Sequence, residues 1–421
     1  MELTYDILEE FALIFPLFMS YLWMTGGIVY YYRWEDGGKQ RVDEPPELKH
    51  YPGVSVIVPA HNESYAILET IESLKNLQYP EFEIIVVNDG STDETADILN
   101  AFSTEGSIRA IHLETNQGKA AAMRVGTLAS KHEFIVCLDG DAILDPHALT
   151  WLIRHFDGPR VAAVTGNPRI RTRSTLLGRI QVGEFSSIIG LIKRAQRVYG
   201  RVFTVSGVVT AFRKTALHRV GYWDLNKLTD DIDISWRLQM DHWAIRFESN
   251  ALCWILMPET LSGLWSQRLR WAQGGVEVAF EHARALCSWR RRHMWPIMAE
   301  FCISMLWAYA IVILGVSLLV SQIADIPALP NIREWLLSWG GALLGVTCLI
   351  QFGLSLLIER RFETGQLKSY FWIIWYPGAY WLIAVFTSIV ALPKALLRGS
   401  NNRAVWTSPD RGEQFDVEHP N

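Results

Sequence analysis

The chain has 421 residues, which is room for two or three structural units and a large hydrophobic core. Half of the residues are hydrophobic, 12% are aromatic and 18 are tryptophan, which exceeds ordinary soluble domains and points toward a membrane. The net charge of −5 gives no support for a nucleic-acid partner. The five cysteines show no metal-type spacing, and their odd number argues against a disulfide framework.

Four stretches lack charge for long enough to cross a bilayer as helices, at 11–32, 301–324, 335–358 and 369–393. About 20 helical residues cross the hydrocarbon layer, and each stretch also carries interfacial Trp or Tyr. A single such stretch could be a buried core helix, but four together favour a membrane protein. We expect an N-terminal transmembrane anchor (1–34), a C-terminal transmembrane region with about three hydrophobic segments (293–397), and a polar tail (398–421).

The charges at the ends of these stretches predict the orientation of the chain. Arg33 follows the first stretch and residues 290–292, all Arg, precede the second, so the positive-inside rule places the region between them in the cytoplasm. A Gly-, Pro- and charge-rich linker (35–52) leads into this region. The basic tail conflicts with an odd number of crossings, which leaves two alternatives. Either the rule is weak there, or the last stretch re-enters near Pro377 without crossing.

Residues 53–290 alternate short β-branched runs with helical segments, which predicts a mostly parallel α/β sheet. Each of the first three runs, beginning at 54, 82 and 132, ends in a polar cluster that contains Glu63, Asp89 or the pair Asp139 and Asp141. The intervening helices are predicted at 65–76, 92–102 and 119–130. Ligands of such sheets bind beyond the carboxyl ends of the strands, so these clusters are expected to share one site.

Asp139 and Asp141 are separated by a single glycine, and this spacing offers two hard oxygen ligands to Mg²⁺ or Mn²⁺ beside a diphosphate. The motif is weak when taken alone, because acids are common in turns. Asp89 is by itself an ordinary turn former, and Lys119 an ordinary solvated lysine at a helix start. The repetition of acids at successive strand ends is what favours a functional site.

The segment "KLTDDIDISW" (227–236) predicts a helix from Asp230 to about Met240, capped by Thr229. Acids in a first helical turn interact favourably with the helix dipole, by about 0.3–1 kcal/mol each, which explains them without any catalytic role. The same dipole keeps the carboxylates ionised, and a general base must be ionised. Both interpretations remain open at this point.

The segment "WSQRLRWAQGG" (265–275) places Gln267, Arg270 and Trp271 on one helical face. A guanidinium on this face suits a diphosphate leaving group, and an indole suits a stacked sugar ring. The alternative is an amphipathic helix on a membrane surface. For residues 174–200, an apolar stripe with basic neighbours predicts an interfacial helix, and an ordinary core helix is equally compatible.

In order along the chain, Asp89 in NDG, the pair Asp139 and Asp141, the triplet at 229–231 and the QRLRW segment resemble the motifs of processive family 2 glycosyltransferases. These are the membrane synthases of cellulose, chitin, hyaluronan and poly-N-acetylglucosamine. The segments "VSGVVTAFRK", "ALCWILMPETL" and "WTSPDRG" resemble the poly-β-1,6-N-acetyl-D-glucosamine synthase branch in particular. The resemblance covers almost the whole chain. It implies a GT-A type glycosyltransferase domain (mostly parallel sheet) at 53–290, with transmembrane and interfacial α-helices, the latter at about 174–200 and 259–275.

The resemblance also implies an inverting transfer from UDP-N-acetylglucosamine that requires Mg²⁺ (or Mn²⁺). It makes Asp231 the general base, with Asp230 beside it, and it makes Asp141 and Asp139 the metal ligands. The implied donor- or nucleotide-binding residues are Glu63, Asp89, Lys119, Asp139, Gln267 and Arg270, and the implied acceptor-binding residues are Trp271, Ser206 and Gly207. In one departure, the position of Asp230 is often Glu in the family, which alters contacts there but leaves the base in place.

The expected partners are the donor, the growing polysaccharide chain and the lipid bilayer, with a small membrane partner subunit and cyclic-di-GMP as further candidates and no nucleic acid. The expected location is a bacterial inner membrane, with several crossings, a cytoplasmic catalytic domain and export of product for a biofilm matrix. Three alternatives stay open: another processive synthase (chitin-like, hyaluronan or cellulose), a non-processive lipid-linked glycosyltransferase, and a transporter or receptor with a metal-binding domain. The β-1,6 linkage rests on the resemblance alone.

Overall fold

A computed structural model describes residues 2–324, 339–363 and 365–398. The predicted polar tail from residue 399 onward lies outside these residues, as do residues 335–338 of the third apolar stretch. The described part joins a mixed α/β sheet with its covering helices to a set of long apolar helices.

The sheet has eight strands in the order β3-β2-β1-β4-β7-β6-β8-β5. Neighbours β1 to β4 are parallel, β7 is antiparallel to β4 and β6, β6 and β8 are parallel, and β5 is antiparallel to β8. The prediction of a mostly parallel sheet is confirmed, and the carboxyl ends of β1, β2 and β4 meet at one edge. The strands are β1 Val54–Ala60, β2 Phe82–Asp89, β3 Arg109–Leu113, β4 Phe134–Leu138, β5 Ile143–Leu144, β6 Val161–Ile170, β7 Val209–Arg213 and β8 Ala244–Ile255.

Every residue of β1 and β4 is buried, because helices cover both faces of the sheet. This explains why these strands read as continuous apolar runs instead of alternating ones. The helices of this region are α2 Ile67–Lys75, α3 Thr95–Glu105, α4 Lys119–Ala129, α5 Ala148–Ile153, α6 Leu176–Ser187, α7 Lys193–Tyr199, α8 Lys214–Val220, α9 Asp230–Met240 and α10 Leu261–Leu286.

The predicted start of α3 at residue 92 was wrong, because the helix begins at Thr95. The preceding turn is held by the Asp93 carboxylate, which accepts hydrogen bonds from the backbone N–H groups of Ser64 and Thr95 at 3.1 Å each. The Asp93 carboxylate therefore holds residues 92–94 in a turn, and the helix starts three residues later than the sequence pattern indicated. Helix α4 begins at Lys119 as predicted.

Three apolar helical segments, Tyr5–Trp34, Trp289–Ser321 and Trp339–Glu359, are long and apolar enough to cross a membrane. They belong to α1 Glu2–Trp34, to α11 Trp295–Ala324 with the turn before it, and to α12 Trp339–Glu359. Three of the four predicted spans are thus confirmed as helices of spanning length.

The fourth predicted span was wrong as one continuous crossing helix. The stretch divides into a short helix α13 Tyr370–Ile373, a wide turn of π-helix at Tyr376–Tyr380, and the shorter apolar helix α14 Trp381–Leu397. Pro377 lies in the wide turn. Proline has no backbone N–H to donate to a helical hydrogen bond, and its ring clashes with a carbonyl of the preceding turn. These two effects account for the break in the α-helix. The break coincides with the position at which re-entry was considered.

A buried ion-pair network fastens the apolar helices to the sheet. Arg194 of α7 is fully buried, and its guanidinium pairs with Glu35 after α1 at 2.7 Å and with Glu359 at the end of α12 at 2.5 Å. Glu359 also pairs with Arg169 on β6. Lys193 and Arg194, expected on the basic rim of an interfacial helix, are instead buried, because α7 is packed between the sheet and α1. The interfacial location of 174–200 stays a prediction.

Candidate active site

Asp139 follows β4 and forms an ion pair with the ammonium of Lys119, the first residue of α4. The same ammonium donates a hydrogen bond to the carbonyl of Gly207 at 3.0 Å. Lys119 therefore joins the strand-end acids to the loop before β7. Two segments that are 88 residues apart in the sequence meet at this contact.

Asp141 is buried beside two further carboxylates. Burial raises the pKa of Asp141 well above its ordinary value, and the neighbouring charges of Asp139 and Glu63 raise it further. Glu63 itself is buried and accepts a hydrogen bond from the Tyr65 hydroxyl at 2.6 Å. Gly140 permits this crowding, because a side-chain carbon on it would lie 3.3 Å from Cγ of Glu63.

This repulsion between acids is the chemistry that a divalent cation relieves, so the residues fit a Mg²⁺ or Mn²⁺ ion. In the described ranges no three acidic, His or Cys side chains already form a metal-binding group. Magnesium usually takes only one or two protein carboxylates and completes its shell with phosphate oxygens and water. Asp141 and Asp139 are suited to such a partial set.

Asp89 is fully buried at the end of β2, and both of its carboxylate oxygens are engaged. They accept hydrogen bonds from the backbone N–H groups of Gln117 (2.8 Å) and Gly118 (2.7 Å). Burial raises the pKa of Asp89, although these two bonds act in the opposite direction. Asp89 thus holds the loop that presents Lys119, a contact that sequence reasoning missed. Its predicted contact with the nucleotide stays a prediction.

Helix α9 runs from Asp230 to Met240 as predicted, but the Thr229 hydroxyl does not cap it. The first-turn acids serve that purpose themselves. Asp230 Oδ1 accepts the N–H of Asp231 at 3.1 Å, and Asp231 Oδ1 accepts the N–H of Ile232 at 2.9 Å. Within the described chain, Asp231 Oδ2 accepts no hydrogen bond, so one oxygen of this carboxylate is available to a ligand.

Asp230 and Asp231 lie in a shared electrostatic environment. Burial raises the pKa of Asp230 to about 6, and it also raises the pKa of Asp231. The positive charges of Lys119 and Arg270 oppose both shifts. Gly207 lies against Asp231, since a side-chain carbon on Gly207 would be 3.6 Å from Asp231 Oδ2. The structure therefore brings together five of the predicted residues, which are Lys119, Asp139, Gly207, Asp230 and Asp231.

The third acid of α9, Asp233, has a different role. It is buried, and its carboxylate pairs with His282 of α10 at 3.0 Å and with Arg237 at 2.8 Å. Burial alone would raise the pKa of Asp233, but these two partners outweigh it and hold the pKa below its ordinary value. Asp233 thus joins α9 to α10, whereas Asp230 and Asp231 lie at the start of α9 beside Lys119.

Helix α10 carries the QRLRW segment and approaches α9 closely at Gly274. A side-chain carbon on Gly274 would lie 2.3 Å from Oγ1 of Thr229, so only glycine fits there. Gln267 Oε1 is buried and has no hydrogen-bond partner in the described chain. Arg270 is exposed and reaches the Leu228 carbonyl at 3.5 Å. Both side chains therefore retain polar groups for a ligand.

Trp271 is half-buried and is positioned by residues that sequence reasoning did not single out. The Arg268 guanidinium lies 4.6 Å from the centre of the Trp271 ring, and Phe185 packs at 6.5 Å from the same ring. Arg268 in turn donates to Glu184 at 2.6 Å, and the Tyr380 hydroxyl donates to the same carboxylate oxygen at 3.0 Å. This cluster connects the wide turn at 376–380 to the Trp271 platform.

Ser206 lies in the loop before β7, and backbone contacts hold it. Its N–H donates to Thr165 Oγ1 on β6 at 2.7 Å, and its carbonyl accepts from the Thr210 hydroxyl at 2.7 Å. These two contacts hold the loop to β6 and β7. Its predicted contact with the acceptor is compatible with this position beside Gly207 but stays a prediction.

Residues 52–274 match the model of the family described as glycosyltransferase like family 2. The chain belongs to glycosyltransferase family 2. It is 40% identical to the poly-beta-1,6-N-acetyl-D-glucosamine synthase of Staphylococcus epidermidis over 96% of this chain and 98% of that protein. It is 38% identical to the synthase of the same name from Staphylococcus aureus strain COL, over 96% and 98%. The predicted family resemblance is confirmed, and the protein is a glycosyltransferase.

The fold of this glycosyltransferase is also found in a solved structure. The mannosyltransferase PcManGT from Pyrobaculum calidifontis, in complex with GDP-Man and Mn²⁺, aligns with a TM-score of 0.62 and 20% identity. The alignment covers 93% of this chain and 99% of that one. At this identity the likeness supports the GT-A type fold and nothing finer.

The candidate residues of this glycosyltransferase fall into two groups. Asp139, Asp141 and Glu63 form an acidic group whose chemistry suits a cation beside a nucleotide diphosphate. Asp231, which lies against Gly207, has the chemistry for a sugar hydroxyl, and the Trp271 ring has the chemistry for a stacked sugar. Both assignments stay predictions.

The Tyr380→Phe substitution is expected to shorten the product, because it removes the hydroxyl that helps hold Glu184 and, through Arg268, the Trp271 ring. The initial rate of transfer should stay within about tenfold, since the loss of one hydrogen bond costs about 0.5–1.5 kcal/mol and 1.36 kcal/mol is a factor of ten. Gel filtration of labelled product measures the chain length. Tyr370→Phe, which removes a bond to the Leu349 carbonyl at 3.2 Å, is the matched control. Full-length product from Tyr380→Phe would contradict the role of the cluster.

Proposed function

We propose that this enzyme polymerises N-acetylglucosamine from UDP-N-acetylglucosamine into poly-β-1,6-N-acetyl-D-glucosamine. The observation that carries the proposal is the carboxylate of Asp231, which is half-buried beside Lys119 and Gly207 and, among the described residues, keeps one oxygen without a hydrogen bond. That arrangement suits proton removal from a hydroxyl that attacks a sugar. The donor and the linkage are proposed from the near-full-length similarity to synthases of that name.

In the proposed reaction, Asp231 takes the proton from the primary hydroxyl of the acceptor's terminal sugar. The hydroxyl oxygen forms a bond to the anomeric carbon of the donor, and the bond from that carbon to the diphosphate oxygen breaks. The bonding electrons leave with UDP, and attack from the opposite side inverts the anomeric centre. In this proposal Arg270 interacts with the charge that develops on the leaving group, and such interactions are usually the largest part of catalysis.

The remaining predicted residues divide between donor and acceptor in this proposal. Mg²⁺ or Mn²⁺ held by Asp141 and Asp139, when bound, supplies positive charge beside the diphosphate. Gln267 and Glu63 flank the donor, and Lys119 and Asp89 shape its loop. Trp271 provides a stacking surface for the acceptor sugar beside the Ser206–Gly207 loop.

We further propose that the enzyme lies in a bacterial inner membrane with its catalytic domain in the cytoplasm. Three helices of spanning length and the Arg residues at their cytoplasmic ends support this location. The growing polysaccharide would then be made beside the bilayer and exported through it for a biofilm matrix. A small membrane partner subunit and cyclic-di-GMP belong to the proposal as candidate activators.

The test is synthesis of polymer from radiolabelled UDP-N-acetylglucosamine by membranes that contain the full chain. Parallel reactions receive Mg²⁺ or EDTA, with and without the partner subunit and cyclic-di-GMP. We expect long product that requires the metal and is cleaved by a β-1,6-specific hydrolase but not by chitinase. Product cleaved by chitinase, label that ends on a lipid carrier, or no product in any reaction would reject the proposal.

A further inference from the structure

Lys193 of α7 is a buried lysine for which the described residues supply no partner. Its side chain is 5% exposed, and its ammonium forms no ion pair or hydrogen bond with the residues that the structure describes. Burial lowers the pKa of Lys193 to about 8. Taking most of a lysine side chain out of water without a compensating contact for its ammonium is costly, so this position calls for an explanation other than packing.

Other buried cations of the described chain do have partners. Arg194, the next residue along α7, pairs with Glu35 and Glu359, and Arg268 pairs with Glu184. Arg194 and Arg268, which join helices to the rest of the fold, are thus each paired with a carboxylate. Among the residues that the structure describes, Lys193 differs from its own neighbour in having no such carboxylate, so its ammonium can accept a partner that these residues do not supply.

The position of Lys193 on α7 places it on the acceptor side of the cleft. Lys193 lies three residues before Gln196 and therefore shares its helix face. The Gln196 side-chain oxygen accepts the N–H of Phe203 at 3.0 Å, and Phe203 begins the short loop that leads to Gly207 beside Asp231. This face of α7 is thus turned toward the loop that borders the base.

The electrostatics agree with this placement. Against the effect of burial, the charge that raises the pKa of Lys193 is the carboxylate of Asp231. Asp231 is itself faced by Lys119 from α4, by Arg270 from α10 and by Lys193 from α7, with Asp230 beside it on α9. Lys119 forms an ion pair with Asp139, on the proposed diphosphate side, whereas Lys193 approaches Asp231 from α7.

We propose that Lys193 binds the terminal sugar of the acceptor, donating a hydrogen bond to one of its oxygen atoms while Asp231 faces the attacking hydroxyl. This inference rests on the proposed function. An N-acetylated sugar is neutral and offers hydroxyl and amide oxygens, which suit the three N–H donors of an ammonium. The contact would fix the rotation of the sugar and so direct a single hydroxyl toward the base.

The test compares acceptor and donor kinetics of the full-length enzyme for wild type, Lys193→Met and Lys193→Arg. Transfer is measured against a short β-1,6-linked N-acetylglucosamine oligosaccharide at saturating UDP-N-acetylglucosamine, and slow hydrolysis of the donor is measured without acceptor. For Lys193→Met we expect the acceptor KM to rise by about 10- to 100-fold, as for a lost hydrogen bond to a charged group. The donor KM for hydrolysis should not change, and Lys193→Arg should restore part of the acceptor affinity.

Lys131→Met is the matched control, because Lys131 is exposed and remote from Asp231. An unchanged acceptor KM in Lys193→Met would overturn the inference, and so would a raised donor KM, which would place the ammonium at the diphosphate. If Lys193→Met does not accumulate in the membrane, Lys193→Gln provides the same comparison. Failure of the proposed function is distinguishable, because wild type would then transfer no sugar from UDP-N-acetylglucosamine to the oligosaccharide.

Discussion

Replacing Asp231 with asparagine is expected to lower the rate of sugar transfer by about 10³-fold, within the range that general-base catalysis contributes. Asparagine keeps the size of the side chain and the oxygen that accepts the N–H of Ile232, so the start of α9 should persist. It cannot take a proton from the acceptor hydroxyl. Initial rates with radiolabelled donor measure the loss, and titration with UDP should show nucleotide affinity close to that of wild type.

Asp233→Asn is the matched control for this substitution, since Asp233 lies two residues later on the same helix. Its carboxylate pairs with His282 and Arg237 and does not face the acceptor loop. This variant should unfold at a lower temperature, while its folded fraction transfers sugar at a rate close to wild type. Polymer synthesis by Asp231→Asn at the wild-type rate would show that Asp231 is not the general base. The acids at 230–233 would then be explained by their interaction with the helix dipole alone.

The pH dependence of wild type gives a second measure of the same base. Because burial raises the pKa of Asp231, its ionised form is lost at a higher pH than for an exposed aspartate, whose pKa is about 3.9. Transfer should therefore decline on acidification while exposed carboxylates are still ionised. Rates in Asp231→Asn should lack the part of this decline that comes from Asp231, whereas Asp230, whose pKa burial raises to about 6, still titrates in the variant.

Local patterns predicted correctly the strand ends and helix starts on which the candidate residues lie, while the roles of those residues stay predictions. The strand-end acids could be grouped in advance, because carboxyl ends of adjacent parallel strands meet at one edge. The bounds of α9 could be predicted because first-turn acids and apolar spacing mark a helix start. Those signals depend on residues within a few positions of one another, such as Asp139 with Asp141 and Asp230 with Asp231.

The contacts that position these residues could not be predicted, because they join distant segments. Arg268 meets Glu184 across 84 residues, and Tyr380 meets the same carboxylate across 196. Arg194 and Lys193 are adjacent basic residues with the same apparent pattern, yet tertiary packing within the described part of the chain gives Arg194 two carboxylates and Lys193 none. Asp89 resembles a ligand in the sequence, and only the loop at 117–118 reveals what its oxygens bind.

Asp141→Asn is expected to change activity and stability in opposite directions. In the absence of metal, Asp141 is buried beside the charges of Asp139 and Glu63, and its raised pKa reflects that unfavourable environment. Asparagine removes the charge, so the variant in EDTA should melt at a higher temperature than wild type in EDTA. The same change removes a metal ligand, and sugar transfer in Mg²⁺ should fall by about 10³-fold, a loss of several kcal/mol of charge stabilisation.

Activity and stability measured together distinguish a metal ligand from an acid that is only destabilised by its charged neighbours. Added Mg²⁺ or Mn²⁺ should raise the melting temperature of wild type, because a ligand that binds the native state stabilises it, and should raise that of Asp141→Asn less. Asp145→Asn is the control, since Asp145 lies four residues later and its carboxylate accepts the His147 N–H at 2.9 Å, away from Asp139 and Glu63. It should keep the activity and the metal response of wild type. Wild-type transfer that persists after complete removal of divalent cations would reject the metal site. If wild type needs the metal but Asp141→Asn still transfers sugar at the wild-type rate, the ligands would be the carboxylates next to Asp141 instead.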